Sequence, residues 1–434
     1  MDERNAHVVG YLPDDTPPPG RLLIFALQHV IVMFPATVLV AILTGFDVGV
    51  TIVASGLATL GFILFTCRRI PLYYGSSFSY IAAVAGVAKA AGVPAAQCGI
   101  VASGLVSIIA GWLVKRYGQK SINTILPPIV TGSVAIVIGL ALAFAAMSMA
   151  AANWTVALIT LVATILFSVY LKGALGQLPV LFGVAVGYLA SLATGVVNFE
   201  PLQKAAFFAI PKFTMPVWSP VAIAAIMPVA IATIPESTAH LYQIDLYVND
   251  LAGKLGRSRR YGISGLLGEN LMGDGIGDII AGFIGGPAGT NYGENNSLMA
   301  ITRNFSVPVI MTAAAVAIVM GFFGWIAGIV NTIPVAVIGG VSIYLFGVIG
   351  GQGVALMISE KVDLFDPRNL AIGATILVIG IGGSFFADPG ALKAGAVSFT
   401  GTIPIWGMEL PAIATASVFG ILLNLVFKAF PSKR

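Results

Sequence analysis

Charge is what this sequence has least of. Of its 434 residues only 9% are Asp, Glu, Lys or Arg, against 58% hydrophobic, whereas a soluble domain carries about 25% charged residues. A globule of this size would have too little polar surface to coat itself in water. That excludes a soluble enzyme or binding module. Cysteine is nearly absent. Cys67 and Cys98 have neither metal-ligand spacing nor a disulfide framework, and both are expected to be small apolar fillers. A basic face is missing too. The net charge of +4 is scattered in ones to threes between apolar runs, so no nucleic-acid partner is expected. The first twenty residues, ending Asp14-Asp15-Thr16-Pro17-Pro18-Pro19-Gly20, hold no apolar stretch of the signal-peptide kind. Residues 1–20 are expected to form a short cytoplasmic tail.

What is present is apolar sequence almost end to end, rich in Gly (51) and Pro (24). Both residues are frequent in membrane helices, where small residues let backbones approach. Stretches near the roughly 20 residues that a spanning helix needs fall at 22–44, 48–66, 71–90, 93–114, 125–149, 153–171, 178–196, 220–243, 262–284, 287–303, 307–329, 333–358, 369–386 and 408–428. The expected fold is therefore an all-α polytopic membrane protein with fourteen transmembrane segments. With the N-terminus in the cytoplasm, only Lys89, Lys204, Lys212 and Lys393 fall outside. The other eighteen of the 22 Lys and Arg, among them Arg4, Lys120, Arg257, Arg259, Lys433 and Arg434, fall on the cytoplasmic side. This positive-inside bias supports both the even count and a multi-pass protein of the cell (cytoplasmic) membrane with both termini inside.

Two short self-matches organise the chain. Leu126-Pro127-Pro128-Ile129-Val130-Thr131-Gly132 resembles Ile333-Pro334-Val335-Ala336-Val337-Ile338-Gly339. Tyr74-Gly75-Ser76-Ser77 resembles Tyr292-Gly293-Glu294-Asn295. Each pair lies seven spans apart. Seven is odd, so the second copy enters from the opposite face, giving two inverted seven-span repeats. The third and tenth spans are broken by Gly, Pro and polar residues, in Pro71 to Phe78 and in Gly285 to Glu294. Each reads as a short extended segment followed by a half helix. Irregular backbone at membrane depth must be buried in protein or line a cavity, and matched breaks point to a midplane site offering free helix N-termini.

Carboxylates within the spans are few: Glu236, Glu269, Asp274, Asp278 and Glu294. Such groups are costly in a membrane and functional by default. Glu294 opens the tenth half helix. Glu236 shares a helix face with His240 at i+4, and a Glu/His pair in a dry site suits proton uptake because desolvation disfavours the charged form. Glu269, Asp274 and Asp278 read as structural ties. Gln28-His29 would line or brace the site. Aromatic residues are expected mostly on lipid-facing or interfacial positions, with Phe78, directly after the third-span break, the exception.

Four stretches carry a family resemblance: Leu27-Gln28-His29 to Phe34-Pro35-Ala36-Thr37; Ile70-Pro71 to Gly75-Ser76-Ser77-Phe78; Glu236-Ser237-Thr238-Ala239-His240; and Thr290-Asn291-Tyr292-Gly293-Glu294-Asn295 to Thr302-Arg303. The chain resembles the nucleobase–ascorbate (nucleobase–cation symporter-2) transporters, and within them the bacterial uracil permeases. The resemblance implies proton-coupled uptake of uracil by alternating access, and no enzyme activity. It implies that Glu236 and Glu294 hydrogen-bond the pyrimidine and that the backbone N–H groups of Phe78 and Gly293 donate to its carbonyls. Ala36, Tyr292 and Phe346 would wall the pocket. Glu236 and His240 would couple the proton, and His29 and Asn295 would support the site. No metal or cofactor is called for beyond the proton as coupling ion. The partners expected are a small nucleobase and the lipid bilayer, with a homodimer allowed. Two positions depart from the family pattern: Ser297 stands where Gly is usual, and Phe346 stands where uracil permeases carry Tyr. Purine carriers of the family usually have Gln at the Glu294 position, so Glu favours uracil over a xanthine or other purine.

Two further readings compete. An anion exchanger of the same seven-plus-seven architecture would suffer repulsion from Glu294. An intramembrane aspartyl protease would match Gly275-Ile276-Gly277-Asp278 but needs a Tyr-Asp pair that the chain lacks. The repeat implies a core domain (21–118 and 220–330, spans 1–4 and 8–11) and a gate domain (119–219 and 331–430, spans 5–7 and 12–14), followed by a 431–434 tail. The site lies at their boundary.

Overall fold

The computed structural model describes residues 10–118, 124, 126–386, 401–405 and 408–430. Arg4, Lys120, Lys393, Lys433 and Arg434, used above for orientation, lie outside the described residues, as do 1–9 and 431–434 of the two tails. Fourteen helical segments of ten or more residues follow one another among the described residues. They are α1 (Pro19–Thr44), α2 (Val48–Phe65), α3 (Phe78–Ala91), α4 (Val93–Tyr117), α5 (Pro128–Ala150), α6 (Trp154–Tyr170), α7 (Pro179–Ala193) and α8 (Pro220–Lys254). Then come α9 (Leu267–Ile284), α10 (Gly293–Thr302), α11 (Val307–Gly321 plus Gly324–Val330), α12 (Val335–Ser359), α13 (Pro367–Gly382) and α14 (Ala412–Ala429). Seven are long and apolar enough to cross a bilayer, or eight if α11, bent by 80°, is one span. The chain is thus an all-helical membrane protein whose helices fall on the expected apolar stretches.

Local chemistry explains many of the starts. Pro19, Pro128, Pro179 and Pro220 occupy first-turn positions, where a missing N–H costs nothing. The Asp47 side chain accepts from Val50 N (2.9 Å) to open α2, and Asn153 accepts from Val156 N (3.2 Å) to open α6.

Small residues then weld particular helices together. α4 and α9 meet so closely that a Cβ on Gly104 would sit 2.5 Å from Gly275 O, and one on Gly111 would sit 2.5 Å from Gly268 O. α2 and α11 meet the same way, Gly56 against Ala314 O (2.5 Å) and Gly49 against Gly321 O (2.7 Å). α5 and α12 form a third such pair, with Gly139 against Phe346 O (2.5 Å). Without a hydrophobic driving force between helices in lipid, this close packing is what binds them.

The third and tenth stretches are broken as read. Strands β1 (Tyr74–Ser76) and β2 (Gly289–Asn291) pair antiparallel, Gly75 opposite Thr290, and both are fully buried. β1 runs into a 3-10 turn at Phe78 and then α3, and β2 runs into α10. The structural register corrects the sequence match. Ser77 and Tyr292 are the equivalent caps, so Phe78 corresponds to Gly293. The Tyr74-Gly75/Tyr292-Gly293 match is slipped by three residues. The Pro127/Pro334 match holds, both residues being helix N-caps.

Other expectations needed correction. α8 does not stop at 243 but runs on to Lys254, ending on an Asp250–Lys254 pair four residues apart (2.6 Å). The start of the last apolar stretch is not helix. Met408–Pro411 pairs as a strand with Thr402–Ile405. Tyr73, Tyr74 and Tyr80 are fully buried rather than lipid-facing, and Tyr74 and Tyr80 spend their hydroxyls on Asp278 (2.5 Å) and Ser103 (2.5 Å). Cys67 is exposed, in a left-handed turn (φ 53°), not an apolar filler. The segment after Gly10 is no loose tail. Tyr11 N donates to Arg303 O (2.9 Å), Phe305 N donates to Tyr11 O (2.8 Å), Leu12 is fully buried, and Asp15 and Asp14 pair with Arg257 (3.0 Å) and Arg259 (2.5 Å). Tyr11 to Asp15 therefore forms a strap across the α8–α9 and α10–α11 connections.

Candidate functional site

The site grows from the β1–β2 seam. Each strand hands over to a helix whose first N–H groups have no carbonyl one turn back, so two sets of backbone donors converge near the middle of the molecule. The seam itself is fixed by polar ties from neighbouring helices. Ser55 and Thr59 of α2 donate to Tyr74 O (2.9 and 3.0 Å). Asp278 Oδ1 of α9 accepts from both the Tyr74 hydroxyl (2.5 Å) and Gly289 N (2.8 Å), one oxygen serving both strands. Asp274 accepts from the Ser237 hydroxyl, and Asn270 and Asn291 amides donate to Ser237 Oγ (2.7 and 3.1 Å). This buried knot joins α8, α9 and β2. Asp274 and Asp278 thus act as structural ties, as read. Glu269 is also a tie, in the first turn of α9, with Lys115 (3.0 Å) and Arg69 (3.9 Å).

Around the seam, the expected site residues gather. His240 Nδ1 donates to the Asn291 carbonyl (2.8 Å), since a carbonyl oxygen only accepts. That places the proton on Nδ1 and leaves Nε2 as the acceptor, directed at the first turn of α10: a Cβ built on Gly293 would lie 2.8 Å from it. His240 therefore does not hydrogen-bond Glu236, despite the shared helix face. Asn295 donates to His29 Nδ1 (2.9 Å) and to His29 O (3.2 Å), holding α10 to α1. The Tyr292 hydroxyl pairs with Thr37 (2.8 Å) while its ring stacks on Tyr73 at 6.5 Å. Ala36 lies one residue before Thr37 and is buried. Phe346, from α12, is buried in one cluster with Val40 and Ile81, against which Phe78 also packs.

Glu236 and Glu294 are different from every other carboxylate here. They lie within electrostatic reach of one another, both half-buried. Among the described residues neither is tied to another residue by a side-chain hydrogen bond or ion pair. All other acids of the helix interior have such ties. The structure therefore brings together Glu236, Glu294, Gly293, Tyr292, His240, Asn295, His29 and Ala36, and sets Phe78 and Phe346 together at one side. The sequence reading missed Thr37, Tyr73, Asn270 and Ser237. A lone Asn in an apolar run was the available signal for Asn270.

A separate, apolar opening lies elsewhere. A crevice of about 480 Å³ lies between α1, α7, α11 and α12 and contains none of these polar residues.

The sequence profile described as Permease family matches residues 20–388. The chain is 39% identical over 435 residues to the uracil permease of Bacillus caldolyticus, covering 96% of this chain and 94% of that one. It is 34% identical over 427 residues to the uracil permease of Escherichia coli (strain K12), covering 95% and 93%. In fold it is similar to the transmembrane domain of the cyanobacterium bicarbonate transporter BicA (TM-score 0.57, 16% identity, 84% of this chain and 95% of that one). It is also similar to the murine anion transporter Slc26a9 in the inward-facing state (TM-score 0.64, 10% identity, 97% and 70%). The chain belongs to the permease family that its motifs resemble, the nucleobase–cation symporter-2 transporters, and is a membrane transporter rather than an enzyme.

Proposed function

We propose that this protein carries uracil into the cell by proton symport. The observation that supports the reading best is the pair Glu236 and Glu294, two carboxylates without a partner among the described residues, set beside half-helix amides at Phe78 and Gly293. Uracil presents N–H donors next to carbonyl acceptors. The carboxylates would accept from its ring and the amides would donate to its oxygens, while Ala36, Tyr292 and Phe346 enclose it. A site built this way rejects analogues that lack a partner far more strongly than an apolar slot does. The relatives matched above are named as uracil permeases, which agrees with Glu at 294. Anion exchange, the competing reading, is opposed by the same residue, because a carboxylate at the α10 N-terminus repels an anion.

In this reading Glu236 takes up the transported proton in the substrate-bound state, His240 tunes it through the free Nε2, and His29 with Asn295 braces α10. Fourteen spans form two inverted repeats. The welded pairs α4–α9 and α2–α11 exchange under a seven-span offset, and α5–α12 maps onto itself, as such symmetry requires. A core domain (21–118, 220–330) and a gate domain (119–219, 331–430) would move against each other around the site. Both termini would be cytoplasmic, with 244–261 inside and 197–219 outside. An impermeant thiol reagent applied to intact cells should then label a cysteine placed at Asn198 and spare one at Ser258.

The test of function is labelled uracil uptake into vesicles, with and without an inward proton gradient and with thymine, xanthine and hypoxanthine as competitors. Gradient-driven uracil accumulation is expected. Preferential competition by xanthine, or accumulation indifferent to the gradient, overturns the substrate or the coupling respectively.

A further inference from the structure

The crevice between α1 and α7 has no part in the site above, yet its volume of about 480 Å³ lies within the roughly 300–1,000 Å³ of ligand sites. Its walls are aliphatic: Val30 and Val38 of α1, Val184 of α7, Val330 of α11, Ile338 and Val341 of α12. The one hydroxyl in the lining, on Tyr188, is taken by Thr332 (2.8 Å). The crevice therefore offers no hydrogen-bond partner to a water, an ion or a nucleobase, and apolar cavities of this kind stay dry. Its rim residues Ile31 and Ile329 are 47% and 49% exposed on helices long and apolar enough to span, or forming part of the bent pair that would. In a chain whose helices cross the bilayer, such a mouth would open onto hydrocarbon.

We propose that this crevice binds one acyl chain of a bilayer lipid. An alkyl chain matches a wall that is apolar and largely aliphatic, and would enter from the hydrocarbon around it. Left empty, the lining residues would forfeit dispersion contacts on the open side. The chain would lie against the back of α1, whose other side carries His29, Ala36 and Thr37. Pro35 stands in the crevice wall and deprives α1 of the hydrogen bond to Ile31 O, so the helix is softest where the acyl chain presses on it.

The experiment uses the full chain in nanodiscs of phosphatidylcholine carrying a photoreactive diazirine midway along one acyl tail, with adducts mapped to peptides. Wild type should carry adducts within 30–42 and 180–188. Ala185→Phe, which fills the crevice from the α7 side, should lose them while keeping those on the outward face of α6 at Leu158 and Val162. Val184→Leu is the milder second filler if Ala185→Phe does not yield folded protein, and it should reduce the same adducts. Absence of adducts on the two crevice segments in wild type, or their persistence undiminished in the fillers alongside unchanged α6 labelling, overturns the proposal.

Discussion

The two broken segments share a backbone and differ in what they attach to it. β1 with α3 and β2 with α10 have the same strand, cap and half helix, and Asp278 holds both with a single oxygen. On the β1 side the cap is the Ser77 hydroxyl, accepting from Ser79 N (3.3 Å), and no acid follows. On the β2 side Glu294 stands two residues after the Tyr292 cap, His240 reaches Asn291, and Asn295 reaches His29. One half supplies donors alone; the other adds acceptors and titratable groups. In the proposed reading, the two copies keep one scaffold, and side chains on one of them would divide the labour of recognising a ligand that both donates and accepts.

The comparison breaks most completely where the halves share a part. Asp278→Ala leaves the Tyr74 hydroxyl and the Gly289 N–H buried without an acceptor, at about 1–3 kcal/mol each. Thermal unfolding in detergent should show a large destabilisation, and transport should be lost. Tyr74→Phe should cost less, because the Gly289 bond survives. Gly75→Ala tests the seam from the other side: its Cβ would fall 2.1 Å from the Tyr292 ring, itself held by Thr37 and Tyr73. Overpacking of this kind costs about 1–3 kcal/mol or more, and uptake should collapse. Wild-type uptake in either Asp278→Ala or Gly75→Ala would show that the two breaks need no common seam.

The next effect separates coupling from binding. Glu236→Gln keeps shape and removes the titratable group, so uracil exchange across the membrane should persist while gradient-driven accumulation disappears. Uphill uptake in that variant would move the proton to another group. Glu294→Gln sets an amide N–H against a substrate N–H, a loss of about 1–3 kcal/mol, or roughly 5- to 150-fold in uracil affinity. Isothermal titration of the purified protein reads this directly, and unchanged affinity would remove Glu294 from recognition. Smallest is Ser77→Ala, which loses only a cap worth roughly 0.5–2 kcal/mol. Its uracil affinity should fall less than that of Glu294→Gln, and the reverse order would mean that the β1 half, not the β2 half, carries the discrimination.

Much of this was legible before any coordinates. Helix positions followed from apolar length, and the two breaks from Gly285-Gly286-Pro287 and Tyr74-Gly75-Ser76, because backbone that cannot stay helical must go somewhere protected. The free carboxylates followed from their rarity. What escaped was anything whose partner lies far along the chain. Tyr74 looked like one aromatic among many until Asp278, 204 residues away, gave it an acceptor. His240 looked paired with Glu236 by helix spacing, but the β2 carbonyl competes for its Nδ1 and wins on geometry. The Tyr-Gly match slipped because two residues of local identity outweighed the cap positions that define the repeat.

The strap of Tyr11 to Asp15 was hidden for the same reason, and the separation has a consequence in time. Leu12 leaves the ribosome long before Leu251, which crowds Gly10, and Arg303, which pairs with Tyr11. At about 5–20 residues per second, the strap waits on the order of 15–60 s for its dock. Through that interval its apolar Tyr11-Leu12 has no dock to cover it. The strap can close only once the chain has been made through the α10–α11 connection, so its burial is a late event that reports on the arrival of α8 and α10 at their places.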